Sequence, residues 1–176
     1  NVNVKAAFEL SRLCYPHLRK SSNASVINIS SIGGISPEQG LGIYSVSKAA
    51  LISLTKVFAK EWGDSKIRVN AICPGLIQTK FSEALWSNEK IMAMIIKQLA
   101  IKRAGTAEEI GAMALFLASP ASTYTTGAIL TADGGFTIWL NMQPTQEISP
   151  EQLQELLKTY RQFVEKEIFP IDLQVV

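Results

Sequence analysis

An α/β architecture on a parallel, doubly wound sheet is predicted by this 176-residue sequence, and three observations predict it. Short β-branched runs alternate with longer stretches of helical periodicity, the pattern of successive βα units. Each short run is closed by a turn signal: Gly33-Gly34 and Pro37, then Pro74-Gly75, then Asp133-Gly134-Gly135. Hydrophobic residues make up 47% of the chain against 18% charged, the balance of a globular protein with a core to build. Three strands make a thin parallel sheet, and such sheets are usually wider, so the pattern predicts an incomplete member of a larger fold.

The elements follow in order. Val4, Ala7, Phe8, Ser11, Cys14 and Leu18 recur at three-to-four spacing and predict a helix over residues 3–19, ended by Lys20-Ser21-Ser22-Asn23. Ser25-Val26-Ile27-Asn28-Ile29-Ser30 reads as a buried strand. Residues 43–62 predict a long helix whose apolar positions are Ala49, Ala50, Ile52, Leu54, Val57, Phe58 and Trp62, stopped by Gly63-Asp64-Ser65. Ile67 to Cys73 is a second strand. Residues 106–119 predict a helix opened by a Thr106/Glu109 capping box, with Ile110, Met113, Ala114 and Leu117 as its stripe. Residues 128–132 give a third strand.

Beyond residue 138 the character changes. Residues 1–141 carry 14 basic and 9 acidic side chains, and residues 142–176 carry 3 and 6. Ser149-Pro150-Glu151-Gln152 is a helix start with a Ser cap and Pro at the first helical position. Leu153, Leu156, Leu157, Tyr160, Phe163, Val164 and Ile168 then form one apolar face that has to bury itself. We expect two domains, residues 1–138 and a C-terminal amphipathic helical extension over 139–176.

Composition excludes several function classes. A net charge of +2 is too mild to argue for nucleic acid or an anionic membrane. An apolar run such as Ile91 to Ile96 is far short of the roughly 20 residues a membrane span needs, and no signal peptide is evident. One histidine, His17, and two distant cysteines, Cys14 and Cys73, leave no metal site in prospect. The cysteines suggest no disulfide framework and a cytoplasmic or other reducing intracellular compartment. The chain starts Asn1-Val2-Asn3, without methionine, as if cut from something longer.

Tyr44-Ser45-Val46-Ser47-Lys48 sets a phenol and an ammonium four residues apart, on one face of a helix. A tyrosine titrates near pH ~10, and a neighbouring cation favours its phenolate. A phenol tuned in this way can exchange a proton with a carbonyl or alcohol oxygen. The bland alternative is strong, because Tyr and Lys at this spacing are common. Context weighs against it. Ser30-Ser31 closes the first strand and Pro74-Gly75 the second, both at the edge where open α/β sheets bind ligands. There Gly75 lets backbone come close to a ligand and Pro74 stops the strand.

These pieces together resemble the classical short-chain dehydrogenases/reductases, over residues 3–136. The resemblance rests on Val2-Asn3-Val4-Lys5, Ile27-Asn28-Ile29-Ser30-Ser31-Ile32-Gly33-Gly34, Tyr44-x-x-x-Lys48, Arg68-Val69-Asn70-Ala71-Ile72-Cys73-Pro74-Gly75, Phe116-Leu117-Ala118-Ser119, Thr126-Gly127 and Asp133-Gly134-Gly135, in the family's order. It implies a Rossmann-like fold and hydride transfer between a ketone and a secondary alcohol with NADP or NAD. Tyr44 would match the catalytic acid/base, and Lys48 the residue that lowers its pKa and bonds the nicotinamide ribose. Ser31 would match the hydroxyl on the substrate oxygen, with Ser30 the less favoured neighbour. Asn3 would match an asparagine supporting a proton relay, its bland alternative being a helix N-cap. Pro74, Gly75, Ile77 and Thr79 would line the nicotinamide, with Thr79 near the carboxamide. Residues 79–100 would form a mobile lid whose Phe81, Leu85, Trp86, Ile91, Met94 and Ile95 suit an apolar small-molecule substrate. The segment from Pro74 to Ser82 is most similar to the NADP(H)-type carbonyl reductase branch. Asp133-Gly134-Gly135 would be structural, near a contact in a homodimer or homotetramer. His17 reads as a solvated cation at a helix C-terminus.

The family's N-terminal βαβ cofactor half is expected to be absent, since no G-x-G-x-x-G turn or coenzyme-selecting residue occurs. The 176 residues alone are expected to bind dinucleotide poorly. The tail from Met142 faintly resembles the first helix of acyl-CoA dehydrogenases, its alternative being an ordinary docking extension. Two competing readings are a truncated, non-catalytic interaction module pairing through residues 3–19 and 43–62, and a linker piece of an acyl-CoA enzyme.

Overall fold

A computed structural model describes residues 2–37, 40–138, 149, 151, 154, 155 and 158. The chain divides into two units, Asn1–Trp139 and Leu140–Val176.

The first unit is a three-stranded parallel sheet in the order β1 (Ala24–Ile29), β2 (Ile67–Pro74), β3 (Ile129–Ala132). Around it lie α1 (Ala7–Leu18), entered through a π-helical turn at Val2–Ala6, then α2 (Ile43–Glu61), α3 (Glu83–Trp86), α4 (Glu89–Gln98) and α5 (Ala107–Ala118). Pairing of Ala24 with Ile67 and of Val26 with Val69 puts these four side chains on one sheet face. There they pack with Phe58, Ala59 and Trp62 of α2, and Tyr15 and Leu18 of α1 lie against them. Phe58 and Trp62 stack at 4.2 Å between ring centroids. The opposite face belongs to α5: Ser25 Oγ and Arg68 Nη1 both donate to Leu117 O, at 2.8 and 2.7 Å. Helices therefore cover both faces, and the incomplete, doubly wound α/β fold read from the sequence is the fold found.

β2 is buried from Ile67 to Cys73, as the central strand of three, and half-buried at Pro74. β1 departs from its expectation: four of its six residues, Ser25, Val26, Ile27 and Ile29, are only half-buried or exposed, because it has one sheet neighbour and a bare outer edge. The strand also ends at Ile29, so Ser30 lies just past it. In α2 the buried positions are Ser45, Leu51, Thr55, Phe58 and Ala59, while Val57 and Ala49 face outward. The Thr106/Glu109 capping box is formed. Hydrogen bonds from the Arg103 guanidinium pull the Glu109 carboxyl down to about 2, helped by the Thr106 amide.

Of the second unit, residues 151, 154, 155 and 158 are helical, and Ser149 Oγ donates to Glu151 Oε2 at 2.7 Å. The apolar stripe expected from Leu153 to Ile168 lies outside the described residues.

Candidate active site

The carboxyl end of β1 meets the start of α2. Lys48 and Tyr44 lie one turn apart, with the ammonium 5.6 Å from the centre of the phenol ring. Lys48 Nζ donates to Ile29 O at 2.9 Å, and Lys48 O accepts from Ser30 Oγ at 2.8 Å. Two adjacent residues at the strand end thus hold the lysine at both its backbone and its side chain. Burial lowers the Lys48 pKa from the ordinary lysine value, and the neighbouring Cys73 sulfur opposes that shift electrostatically. Burial pushes the Cys73 thiol up, against the Ser30 hydroxyl, the Ser31 backbone and the Lys48 charge.

Ser30 and Ser31 separate cleanly. Ser30 is 4% exposed and its hydroxyl proton goes to Lys48 O. Ser31 is half-buried, caps the short 3-10 turn Ile32–Gly34, and its Oγ accepts the Gly33 N–H at 3.1 Å. A hydroxyl that accepts there keeps its proton for a further acceptor. The 3-10 turn is pressed onto α2: a Cβ on Gly34 would lie 2.7 Å from the Lys48 carbonyl carbon and 2.9 Å from Ala49 N. Backbone cannot yield as a side chain can, so Gly34→Ala is expected to cost about 1–3 kcal/mol. A thermal melt of the variant checks this, and an unchanged Tm would show the turn standing clear of α2.

Asn3 is not a helix N-cap. It lies within the π turn, and its Nδ2 donates to Ser47 Oγ at 3.0 Å, while Ser47 Oγ donates to Tyr44 O at 2.7 Å. A hydrogen-bonded chain therefore runs from Asn3 to the backbone of Tyr44. Ser47 escapes a sequence reading, because a serine bonding back to the carbonyl three residues earlier looks like any helical serine.

Pro74 pairs with Ala132 as the last residue of β2. The close approach that Gly75 permits is to the chain's own backbone: a Cβ there would lie 2.8 Å from Asp133 Cα. Ile77 bridges Gly105 and lines a cavity of about 190 Å³ with Met113 and Asp133. Thr79 is exposed and shares a capping box with Ser82, the two hydroxyls 3.1 Å apart. Ser82 Oγ also donates to Ile77 O, and Trp86 Nε1 donates to Thr79 O at 2.9 Å. Residues 79–100 fold as α3 and α4, with Phe81 88% exposed and Leu85 and Met94 also outward. The geometry thus links Asn3, Tyr44 and Lys48 at the start of α2, and Ser31 heads the turn that packs on the same helix. It engages Ile77 and Thr79 in contacts of their own.

A parallel sheet wound by helices on both faces, with these polar groups at the carboxyl end of a strand, defines a Rossmann-type α/β protein. A sequence-family profile described as enoyl-(acyl carrier protein) reductase matches residues 1–137. The chain is 40% identical over 138 residues to the 3-oxoacyl-(acyl-carrier-protein) reductase of Thermotoga maritima, covering 78% of this chain and 55% of that protein. A 4-hydroxyisoleucine dehydrogenase solved with NADH superposes at TM-score 0.75 and 36% identity, over 78% of this chain and 57% of that one. The gluconate 5-dehydrogenase of Burkholderia cenocepacia, solved with NADP and tartrate, superposes at TM-score 0.75 and 28% identity, over 78% and 54%. The chain belongs to the short-chain dehydrogenase/reductase family. It spans about half the length of the curated relatives it matches.

Proposed function

We propose that residues 1–138 are the catalytic part of an NAD(P)(H)-dependent oxidoreductase that interconverts a ketone and a secondary alcohol. The observation that carries this reading is the Lys48–Tyr44 pair, fixed to Ile29 O and Ser30 at the carboxyl end of β1. A bound nicotinamide coenzyme would give the hydride in reduction and accept it in oxidation. Tyr44 Oη gives a proton to the carbonyl oxygen in reduction and takes it back in oxidation. Lys48 holds its ammonium beside the Tyr44 ring. Its ammonium has three donors, and with one spent on Ile29 O the remainder suit the hydroxyls of a nicotinamide ribose. Ser31 donates its hydroxyl proton to the substrate oxygen. Asn3 steadies the Tyr44 turn through Ser47 and supports proton passage there. Pro74 and Gly75 form the rim toward the nicotinamide. Ile77 and Thr79 belong to that rim in the ligand-bound state, Thr79 after leaving its bond with Ser82.

The outward Phe81, Leu85 and Met94 fit an apolar substrate carried under α3 and α4. The 176-residue sequence holds no glycine-rich pyrophosphate turn, so nothing in it selects NAD over NADP. Two free thiols fit a reducing compartment such as the cytoplasm, and among the described residues no helix is long and apolar enough to cross a membrane. The second reading, an interaction module, draws on the exposed Leu10 and Leu13 of α1 and Val46 and Val57 of α2. That surface also suits a second copy of the chain in a homo-oligomer.

The test is the full-length protein mixed with NADH or NADPH and a panel of ketones, following loss of the reduced coenzyme. Sustained turnover with at least one ketone is expected. No turnover and no coenzyme binding by calorimetry would leave the interaction module as the function. By contrast, the 176-residue chain alone is expected to bind either coenzyme weakly, with a dissociation constant of roughly 1 mM or more, because it lacks the phosphate-gripping turn. Micromolar binding to it would overturn that expectation.

A further inference from the structure

We infer that Ser30 is a positioning residue for Lys48, distinct in role from its neighbour Ser31. The inference rests on the oxidoreductase reading above and adds a residue to it. Ser30 is a three-way joint. Its backbone N–H donates to Ile72 O of β2 at 2.7 Å, its position continues β1, and its Oγ donates to Lys48 O of α2 at 2.8 Å. It is 4% exposed, so no substrate oxygen reaches it. The next residue back, Ile29, takes the ammonium of the same lysine. Lys48 is therefore gripped at its carbonyl and at its Nζ by consecutive residues of one strand end, with Gly34 packed flat against the same peptide.

The two grips differ in what they cost to lose. A helical carbonyl has two lone pairs, and Lys48 O lies inside α2, so the Ser30 hydroxyl is a second partner rather than the sole one. Removing it leaves the helix hydrogen-bonded but frees the turn that carries Tyr44 and Lys48 to shift against β1. The ammonium reaches Ile29 O only while that turn is seated. Loss of the Ser30 hydroxyl is thus felt at the proton-transfer group more than in the fold.

The groups facing Lys48 are Tyr44 on its own helix, the Ile29 carbonyl on β1 and the Cys73 thiol on β2. Ser30→Ala in the full-length protein is expected to lower kcat about tenfold, the effect of one hydrogen bond of usual strength. The KM for the ketone stays within about twofold, since Ser30 does not touch substrate. Ser30→Thr, which keeps the hydroxyl, is expected to recover most of that loss, and the isosteric Ser30→Val to show it in full. In parallel, the Lys48 Nζ resonance of 15N-lysine-labelled protein is expected to move on titration toward the ordinary lysine value in Ser30→Ala.

Wild-type kcat in Ser30→Ala, or a fall in Tm alone with both kcat and the Lys48 titration unchanged, would overturn the inference. Should Ser30→Ala not fold, the Thr and Val pair decides: equal kcat in the two overturns it. Should the wild-type protein turn over no ketone, the oxidoreductase reading fails, and Ser30 is judged on the Lys48 resonance alone. An unmoved resonance then overturns the positioning role as well.

Discussion

Exchanging Tyr44 for phenylalanine is expected to lower the kcat of the full-length protein by about 10²–10⁴-fold, the range removed with a positioned proton donor. The change is a clean one. Phenylalanine keeps the ring, so the ring still lies 5.6 Å from the Lys48 ammonium and the cation–π contact survives. Tyr44 is half-buried at the first turn of α2, and no described hydrogen bond depends on its Oη, so the fold has little to lose. What disappears is the group proposed to give a proton to the carbonyl oxygen. KM is expected to change little, because the loss falls on the transition state. Lys48→Met should also cut turnover, because the ammonium beside the Tyr44 ring and its bond to Ile29 O are lost together. Steady-state kinetics of both variants decide. Wild-type kcat in Tyr44→Phe would remove Tyr44 from the acid/base role, whatever family the chain belongs to.

What the sequence makes legible here follows the range of the forces involved. Strand ends at Pro74 and Ala132, the Thr106/Glu109 cap and the Tyr44–Lys48 spacing are local, and each is read within four or five residues. The adjacency of Ser30 and Ser31 is local too, but their roles are not. One hydroxyl meets Lys48 O, 18 residues on, and the other meets Gly33 N–H, 2 residues on, and no pattern in the sequence chooses between them. Gly75 reads as a place where backbone nears a ligand, and the neighbour found is instead Asp133 from the end of β3, brought there by β2–β3 pairing. Thr79 is named from its place after Pro74-Gly75, and its capping box with Ser82 is visible only once residues 80–82 wind into a 3-10 turn. Asn3 reads as either a cap or a relay residue, and the π turn that carries it past the cap position sets the cap aside.

Arg68 is the plainest omission, and its removal carries the second large effect. In the run from Ile67 to Cys73 a charged residue suggests a solvent-facing position, but Arg68 is 8% exposed. Its acceptors all come from distant stretches and all are neutral: Leu117 O and Ser122 Oγ at 2.7 Å, Asn23 Oδ1 at 3.1 Å and Ser119 O at 3.5 Å. Two of these are carbonyls at the end of α5, where the helix dipole is negative, so the guanidinium acts as a C-terminal cap from the sheet face. A forked cation of this kind ties β2, α5, the turn Pro120–Ser122 and the segment before β1 into one knot. Arg68→Met keeps the apolar stem and removes the fork. Leu117 O retains the hydroxyls of Ser25 and Ser122, so it stays satisfied, whereas Asn23 Oδ1 and Ser119 O lose a charged donor. The expected loss is about 2–4 kcal/mol, which for a chain of this size lowers Tm by roughly 5–15 °C. Arg68→Lys is expected to fall between the two, since a single ammonium cannot face Leu117 and Asn23 at once. Thermal melts of the three proteins check this order. A Met variant as stable as wild type would mean that the guanidinium's desolvation cancels everything its four acceptors return, and that α5 is held to the sheet by packing alone.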